Sequence, residues 1–97
     1  MAGFILLLFC SCEQKQPQLL AFQASWCGPC HQMLPILDSL QKKGYHVERI
    51  DIDRQPELAT KFKITKIPTF VILKSGKEVA RIVGVVKEKI LITALQP

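Results

Sequence analysis

The hydrophobic positions of this chain fall into short continuous runs and helical repeats that predict alternating strands and helices. An apolar run over residues 19–24 ends at a polar turn, as expected for a strand that is buried on both faces. Apolar side chains then recur at helical spacing between residues 27 and 43, and Gly44 follows as a helix terminator. Pro35 lies inside this predicted helix and is expected to kink it.

The remaining pattern predicts a second strand, a short helix, a hairpin and a closing helix. Pro56 opens the short helix, and Gly76 suits the tight turn of the hairpin. The predicted strands are 47–52, 69–73 and 78–83, and the predicted helices are 55–62 and 87–95. The order βαβαββα predicts an α/β fold with a mixed central sheet flanked by helices. We expect the two crossover connections to give parallel strands and the hairpin to add an antiparallel edge.

The first 17 residues form a separate N-terminal segment ahead of a domain over residues 18–97. Residues 4–9 are continuously apolar, but the run is too short to cross a bilayer, which needs about 20 apolar residues. The run resembles the apolar region of a secretory signal, and Ser11 before Cys12 resembles a bacterial lipoprotein cleavage site with Cys12 as the lipidated residue. The alternative is a buried strand. We therefore expect membrane attachment through the N-terminus in the cell envelope, periplasmic or lipid-anchored, with a cytoplasmic location as the alternative.

Composition places the chain among ordinary globular proteins and excludes two other classes. Its 97 residues allow one domain, and a hydrophobic fraction of 48% with 22% charged residues excludes disordered and collagen-like chains. The net charge of +5 comes from 13 basic residues that are spread along the chain with acidic residues between them. A nucleic-acid partner would favour clustered basic residues with aromatic side chains for stacking. We expect a monomer that binds no nucleic acid.

The four cysteines lie in two close pairs, Cys10 with Cys12 and Cys27 with Cys30. A disulfide-stapled mini-protein would spread its cysteines so that the bridges close long loops. A structural zinc site would need two further ligands at a suitable spacing, and the chain has only two histidines. The distribution therefore argues against a disulfide scaffold and against a metal site, and it leaves the CxxC pair as the candidate for chemistry.

A CxxC pair at a strand-to-helix junction is suited to reversible disulfide chemistry. Cys27 lies where free backbone N–H groups and the helix dipole favour a thiolate. Cys30 lies one turn inside the helix, within disulfide reach of Cys27. We expect Cys27 to attack a substrate disulfide and Cys30 to resolve the mixed disulfide that forms. Pro29 in the first helical turn needs no N–H partner.

Two segments of the chain resemble the thioredoxin family. Residues 25–35, Ser-Trp-Cys-Gly-Pro-Cys-His-Gln-Met-Leu-Pro, are similar to the family's active-site segment, and Ile67-Pro68-Thr69 is similar to its cis-proline loop. The resemblance implies a thioredoxin-like fold, a cis Pro68 that faces the cysteines, and a backbone at Ile67 that pairs with an extended substrate. Trp26 lies beside the reactive cysteine, and we expect it to border the substrate groove; the alternative is an ordinary core residue.

The resemblance implies a function as well. The Gly28-Pro29 pair is similar to that of reducing thioredoxins, whose potential is near −270 mV, rather than to that of strongly oxidising relatives near −120 mV. We therefore expect protein disulfides as substrates, an upstream thiol as electron donor, and no cofactor beyond the redox-active disulfide of Cys27 and Cys30.

Three positions depart from the family pattern. Ala21 stands where full-length thioredoxins usually carry a buried aspartate that moves protons to and from the resolving cysteine, and Gln23 replaces a common aromatic residue. Arg49 stands where a lysine is typical, and an arginine stays protonated where a buried lysine can titrate. We expect slower resolution by Cys30, or a proton path through water, Glu48 or His31.

Two other functions remain open from the residues alone. The chain could be a binding or electron-relay module of this fold that serves one partner and has little general reductase activity. Residues 27–31 also satisfy the CxxCH pattern of covalent haem attachment. The visible spectrum of the purified protein distinguishes haem attachment from disulfide exchange.

Overall fold

The structure, a computed structural model, describes residues 16–96. The predictions for the apolar run, Cys10 and Cys12 lie outside these residues. Each predicted helix and strand of the domain is confirmed to within one or two residues. The strands are β1 (Gln18–Gln23), β2 (His46–Asp51), β3 (Thr69–Lys74) and β4 (Lys77–Val83), and the helices are α1 (Gly28–Lys42), α2 (Pro56–Lys61) and α3 (Glu88–Ala94).

The four strands form one mixed sheet in the order β2-β1-β3-β4. β1 and β2 are parallel, as expected, but β3 is antiparallel to β1, so the prediction that both crossovers give parallel strands is wrong for the second. The reason is the length of α2: its six residues extend the chain by only about 9 Å, about half the length of a strand. The chain therefore enters β3 at the end of the sheet where β2 finished, and Thr69 pairs with Phe22 at the end of β1.

β1 is buried on both faces, which explains its continuous apolar sequence. Leu19 and Ala21 face a core cluster that includes Met33, Leu37 and Leu40 of α1 and Leu91 of α3. Leu20 and Phe22 face the opposite cluster, against which α2 packs. The alternation along β1 thus divides the core into two layers, and α1 covers the layer that contains Ala21.

The hairpin between β3 and β4 is closed by the two residues Ser75 and Gly76, which both have positive φ, 55° and 80°. Positive φ at both central positions is the geometry of a type I′ turn, which matches the twist of the paired strands. Arg81 of β4 then ties the hairpin to the end of α2, because its Nη2 donates a hydrogen bond of 2.7 Å to the Phe62 carbonyl. Among residues 16–96, no helix is long and apolar enough to cross a membrane.

Candidate active site

Cys27 and Cys30 form a disulfide at the junction between β1 and α1, with their Cα atoms 5.3 Å apart. Cys27 is the N-cap residue of α1, and its Sγ accepts a hydrogen bond of 3.1 Å from the Cys30 amide. Both side chains are nearly buried, with 5% of Cys27 and 2% of Cys30 exposed. The pair therefore sits under the first helical turn, where Gly28 and Pro29 form the exposed surface above it.

The electrostatic environment of Cys27 favours a negative sulfur. Its Sγ lies at the N-terminus of a fifteen-residue helix, and the first turn of that helix has no acidic residue. The helix dipole and the Cys30 amide both stabilise negative charge at this point. The disulfide can therefore open to leave a stabilised thiolate on Cys27.

Trp26 lies beside the pair as an exposed aromatic surface, with 67% of its side chain accessible. Its Nε1 donates a hydrogen bond of 2.8 Å to Oδ2 of Asp53, which follows β2. The sequence reasoning did not identify Asp53. One feature of the sequence could have identified it: Asp53 is an acidic residue just beyond the carboxyl end of a strand parallel to β1. Parallel strands bring their carboxyl ends to one edge of the sheet.

The loop before β3 packs against the cysteines through Ile67. The Ile67–Pro68 peptide bond is cis, and Ile67 contacts the cluster of Ala24, Cys27 and Cys30. The Pro68 carbonyl accepts a hydrogen bond of 2.8 Å from the Gly84 amide after β4. Within residues 16–96, no hydrogen bond uses the N–H or the carbonyl of Ile67. An extended chain could pair with this free backbone.

The positions that depart from the family pattern lie on the α1 face of the sheet. Ala21 is 1% exposed, and it pairs in register with Arg49 of β2. The Arg49 guanidinium is held at the surface by hydrogen bonds from Nη2 to the Asp38 carboxylate and to the Gln41 side chain. Arg49 therefore does not reach the cysteines as a free cation.

A cleft of about 240 Å³ opens beside Cys30. Two polar side chains of neighbouring strands, Gln23 of β1 and Asp51 of β2, line it together with His31 of α1. The His31 Nε2 lies 2.8 Å from the Ser25 carbonyl, and because a carbonyl only accepts, Nε2 is the donor. Asp51 was not identified from the sequence, since its position depends on the register in which it pairs with Gln23.

Glu48, one of the groups expected to serve as a proton path, is not brought to this cleft. It pairs in register with Leu20, on the face of the sheet opposite α1, and it accepts a hydrogen bond of 3.0 Å from Gln18. Alternation along β2 places Asp51 and Glu48 on opposite faces. Among residues 16–96, no three His, Cys, Asp or Glu side chains come together in an arrangement that could hold a metal ion.

Comparison with known proteins identifies one family for nearly the whole chain. The sequence profile described as "Thioredoxin" matches residues 10–97. The chain is 44% identical to a thioredoxin H-type of Fagopyrum esculentum over 75 residues, which are 75% of this chain and 65% of that protein. It is 38% identical to thioredoxin H2 of Arabidopsis thaliana over 80 residues, which are 80% of this chain and 60% of the relative. The chain thus spans 60–65% of the length of these curated relatives.

A solved structure extends the similarity to the fold. The X-ray structure of Fasciola hepatica thioredoxin superposes with a TM-score of 0.78 at 32% identity, and the match covers 97% of this chain and 90% of that one. The thioredoxin-like fold expected from the sequence is therefore confirmed, and so is the resemblance that the two motifs carried.

Proposed function

This chain belongs to the thioredoxin family, and from that premise we propose that it is a thiol–disulfide oxidoreductase that reduces protein disulfides through Cys27 and Cys30. The observation that carries the proposal is the disulfide at the N-terminus of α1. Its Cys27 sulfur accepts a hydrogen bond from the Cys30 amide. A disulfide in this position can open and close while the helix and the sheet stay in place.

The reaction proceeds in two exchanges. In the reduced protein the Cys27 thiolate attacks one sulfur of the substrate disulfide, and the other substrate sulfur leaves as a thiolate and takes a proton. Cys30 loses its proton and attacks the Cys27 Sγ, so that the Cys27–Cys30 bond forms and the mixed disulfide breaks. Two electrons pass from the cysteine pair to the substrate, and an upstream dithiol must then return them.

The surface above the pair supplies the substrate site. Gly28 and Pro29 leave a low, exposed surface over Cys27, and the indole of Trp26 borders it. The free N–H and carbonyl of Ile67, next to cis Pro68, pair with an extended substrate segment. Backbone pairing is indifferent to side chains, so such a site accepts many protein disulfides.

The test is reduction of insulin by dithiothreitol, followed as turbidity. We expect the protein to accelerate the reaction and Cys27→Ser to abolish the acceleration. Cys30→Ser keeps the attacking thiol and therefore accumulates a mixed disulfide that non-reducing gels reveal. The matched control is the Cys10→Ser/Cys12→Ser double variant, which removes two thiols and leaves the pair intact. Acceleration that survives Cys27→Ser would refute the proposal.

A second function is favoured by one observation, the buried Ala21 at the usual position of an acidic residue. If resolution by Cys30 is slow on general substrates, the chain serves one partner as an electron relay. The Cys30→Ser variant, incubated with extract of the native host, traps that partner as a mixed disulfide. A rate on the trapped partner far above the rate on insulin would establish the relay.

Attachment to the cell envelope through Cys12 is a proposal from the sequence, supported by the apolar run and the Cys12 context. The mass of the mature protein from host membranes tests it: loss of residues 1–11 with added lipid mass is expected. We also propose that the domain is a monomer and needs no cofactor. A single monomer peak in gel filtration and a visible spectrum without a haem band are the expected results.

A further inference from the structure

We propose that the Asp51 carboxylate accepts, through water in the cleft beside Cys30, the proton that Cys30 loses when it resolves the mixed disulfide. This inference rests on the proposed function, because it assigns a residue to the second exchange of that reaction. It concerns a position on β2 that no motif of the sequence singles out.

The need for a base follows from the burial of Cys30. Only 2% of this side chain is exposed, so solvent does not surround its sulfur. A thiol attacks a disulfide only as the thiolate, and a thiolate forms readily in a buried place when a nearby group takes the proton. The cleft is the open space that borders Cys30, and the base should therefore be one of the polar groups that line it.

Asp51 is the carboxylate that the fold brings to this cleft. It is the last residue of β2, and it pairs in parallel register with Gln23, so both side chains lie on the α1 face of the sheet. The Asp53 amide donates a hydrogen bond of 2.8 Å to the Asp51 Oδ1, which orients the carboxylate at the strand end. Within residues 16–96, no hydrogen bond from a side chain or loop amide occupies Oδ2.

The cleft can hold the water that links the two groups. Its volume of about 240 Å³ exceeds the roughly 30 Å³ that one water occupies in the liquid. Gln23 lines the same space, and its amide can both donate to and accept from water. A short chain of water beside Gln23 therefore carries the proton from the Cys30 sulfur to Asp51.

His31 is the other group of the cleft that could accept the proton. Its Nε2 hydrogen is donated to the Ser25 carbonyl, so Nδ1 is the nitrogen left as acceptor, and the experiment includes His31→Gln for this reason. Glu48 lies on the opposite face of β2 and binds Gln18. Two other charged groups near Asp51 have partners of their own: Arg49 binds Asp38, and Asp53 binds the Trp26 indole.

The proton and electron balance of the step is complete. The Cys30 thiol gives its proton to Asp51, which becomes a neutral carboxylic acid. The Cys30 thiolate attacks the Cys27 Sγ, the new S–S bond forms, and the bond from Cys27 to the substrate breaks. The substrate sulfur leaves with the electron pair and takes up a proton. Asp51 gives its own proton to this sulfur or to solvent, which restores the carboxylate.

The experiment separates the two exchanges with the aromatic disulfide DTNB. One equivalent reacts with the reduced full chain, in a Cys10→Ser/Cys12→Ser background, in a stopped-flow instrument. Attack by Cys27 releases the first coloured thiolate, and resolution by Cys30 releases the second. The variants are Asp51→Asn, Asp51→Glu, His31→Gln and Glu48→Gln. The last removes the same charge from the same strand on the other face.

At pH 7 we expect Asp51→Asn to slow the second phase at least about ten-fold and to leave the first phase unchanged. The deficit should shrink as the pH approaches 10, because hydroxide then takes the proton directly. Asp51→Glu should recover part of the rate, and Glu48→Gln should match the parent. A structural role would instead slow both phases at every pH.

The outcomes distinguish this inference from the function on which it rests. If the parent protein shows no rapid first phase, or if Cys27→Ser retains it, the proposed function fails. If the first phase is normal and the second phase of Asp51→Asn proceeds at the parent rate, the proposed role of Asp51 is refuted. If His31→Gln slows the second phase and Asp51→Asn does not, the base is His31 and the proposal for Asp51 is refuted.

Discussion

At the scale of single residues, the hydrogen bond from the Trp26 indole to Asp53 holds an exposed aromatic ring in one orientation. Without a fixed partner, a ring with two-thirds of its surface in water would sample several rotamers. In the proposed substrate site, the bond therefore keeps this wall formed before the substrate arrives. A formed wall lowers the entropy that binding must overcome.

We predict that Asp53→Ala loosens Trp26 and raises the KM for insulin several-fold, while kcat changes little. The bond contributes about 1 kcal/mol, which corresponds to roughly a five-fold change. Trp26 is the only tryptophan of the chain, so the anisotropy of its fluorescence reports its mobility directly. Asp53→Asn keeps an acceptor oxygen and should retain most of the anisotropy. Equal anisotropy in Asp53→Ala and the parent would show that packing alone orients the ring.

At the scale of elements, α3 is joined to α1 by one carboxylate. Glu88 in the first turn of α3 accepts hydrogen bonds of 2.8 Å from the Ser39 hydroxyl and from the Lys43 ammonium group. The hydrogen bond from Lys43, and after it the hydrogen bond from Ser39, hold the pKa of Glu88 below its ordinary value. The carboxylate also lies at the N-terminus of α3, where negative charge is favoured.

We predict a pH-dependent effect of Glu88→Gln. The pKa of Glu88 is lowered in the folded state, so its contribution to stability is present above the ordinary value of 4.5 and is lost as the pH falls through the folded pKa. Glu88→Gln should therefore lower Tm at pH 7 and leave Tm unchanged near pH 2. Thermal unfolding by circular dichroism at both pH values measures this. Glu57→Gln, on an exposed helix turn, is the control. If Glu88→Gln lowered Tm by the same amount at pH 2 as at pH 7, the effect would not be ionic.

The elements themselves were predictable, and their connections were less so. The apolar run of β1 and the helical repeat of α1 are local patterns, which period and length identify. The direction of β3 depends on how far the six residues of α2 carry the chain, a quantity that hydrophobic spacing does not report. Likewise Cys27 and Cys30 lie three positions apart in the sequence, whereas the approach of Asp51 to Cys30 requires the register between β1 and β2.

At the scale of the whole molecule, the redox centre is attached to a fold that does not depend on it. The two core layers are built from the sheet and its helices, and the disulfide spans a single helical turn. The loop that it closes is short, so it removes little entropy from the unfolded chain. The molecule can therefore change oxidation state without changing its architecture.

We predict that reduction by dithiothreitol leaves the far-ultraviolet circular dichroism spectrum unchanged. It should lower the free energy of unfolding by about 2 kcal/mol, the value expected for so short a loop. Urea titration of both forms measures the difference. The Cys27→Ser/Cys30→Ser double variant should unfold like the reduced protein. Loss of helical signal on reduction would mean that the bridge, rather than the core, holds the start of α1.

The direction of β1 has a practical consequence. The strand enters the sheet at Gln18 and runs about 20 Å over six residues, and Cys27 follows shortly after its far end. A bead, an electrode or a sensor chip coupled ahead of Gln18 would therefore hold the molecule by the edge opposite to its cysteines. The immobilised protein would keep its reactive face turned to the solution, ready to capture substrates as they flow past.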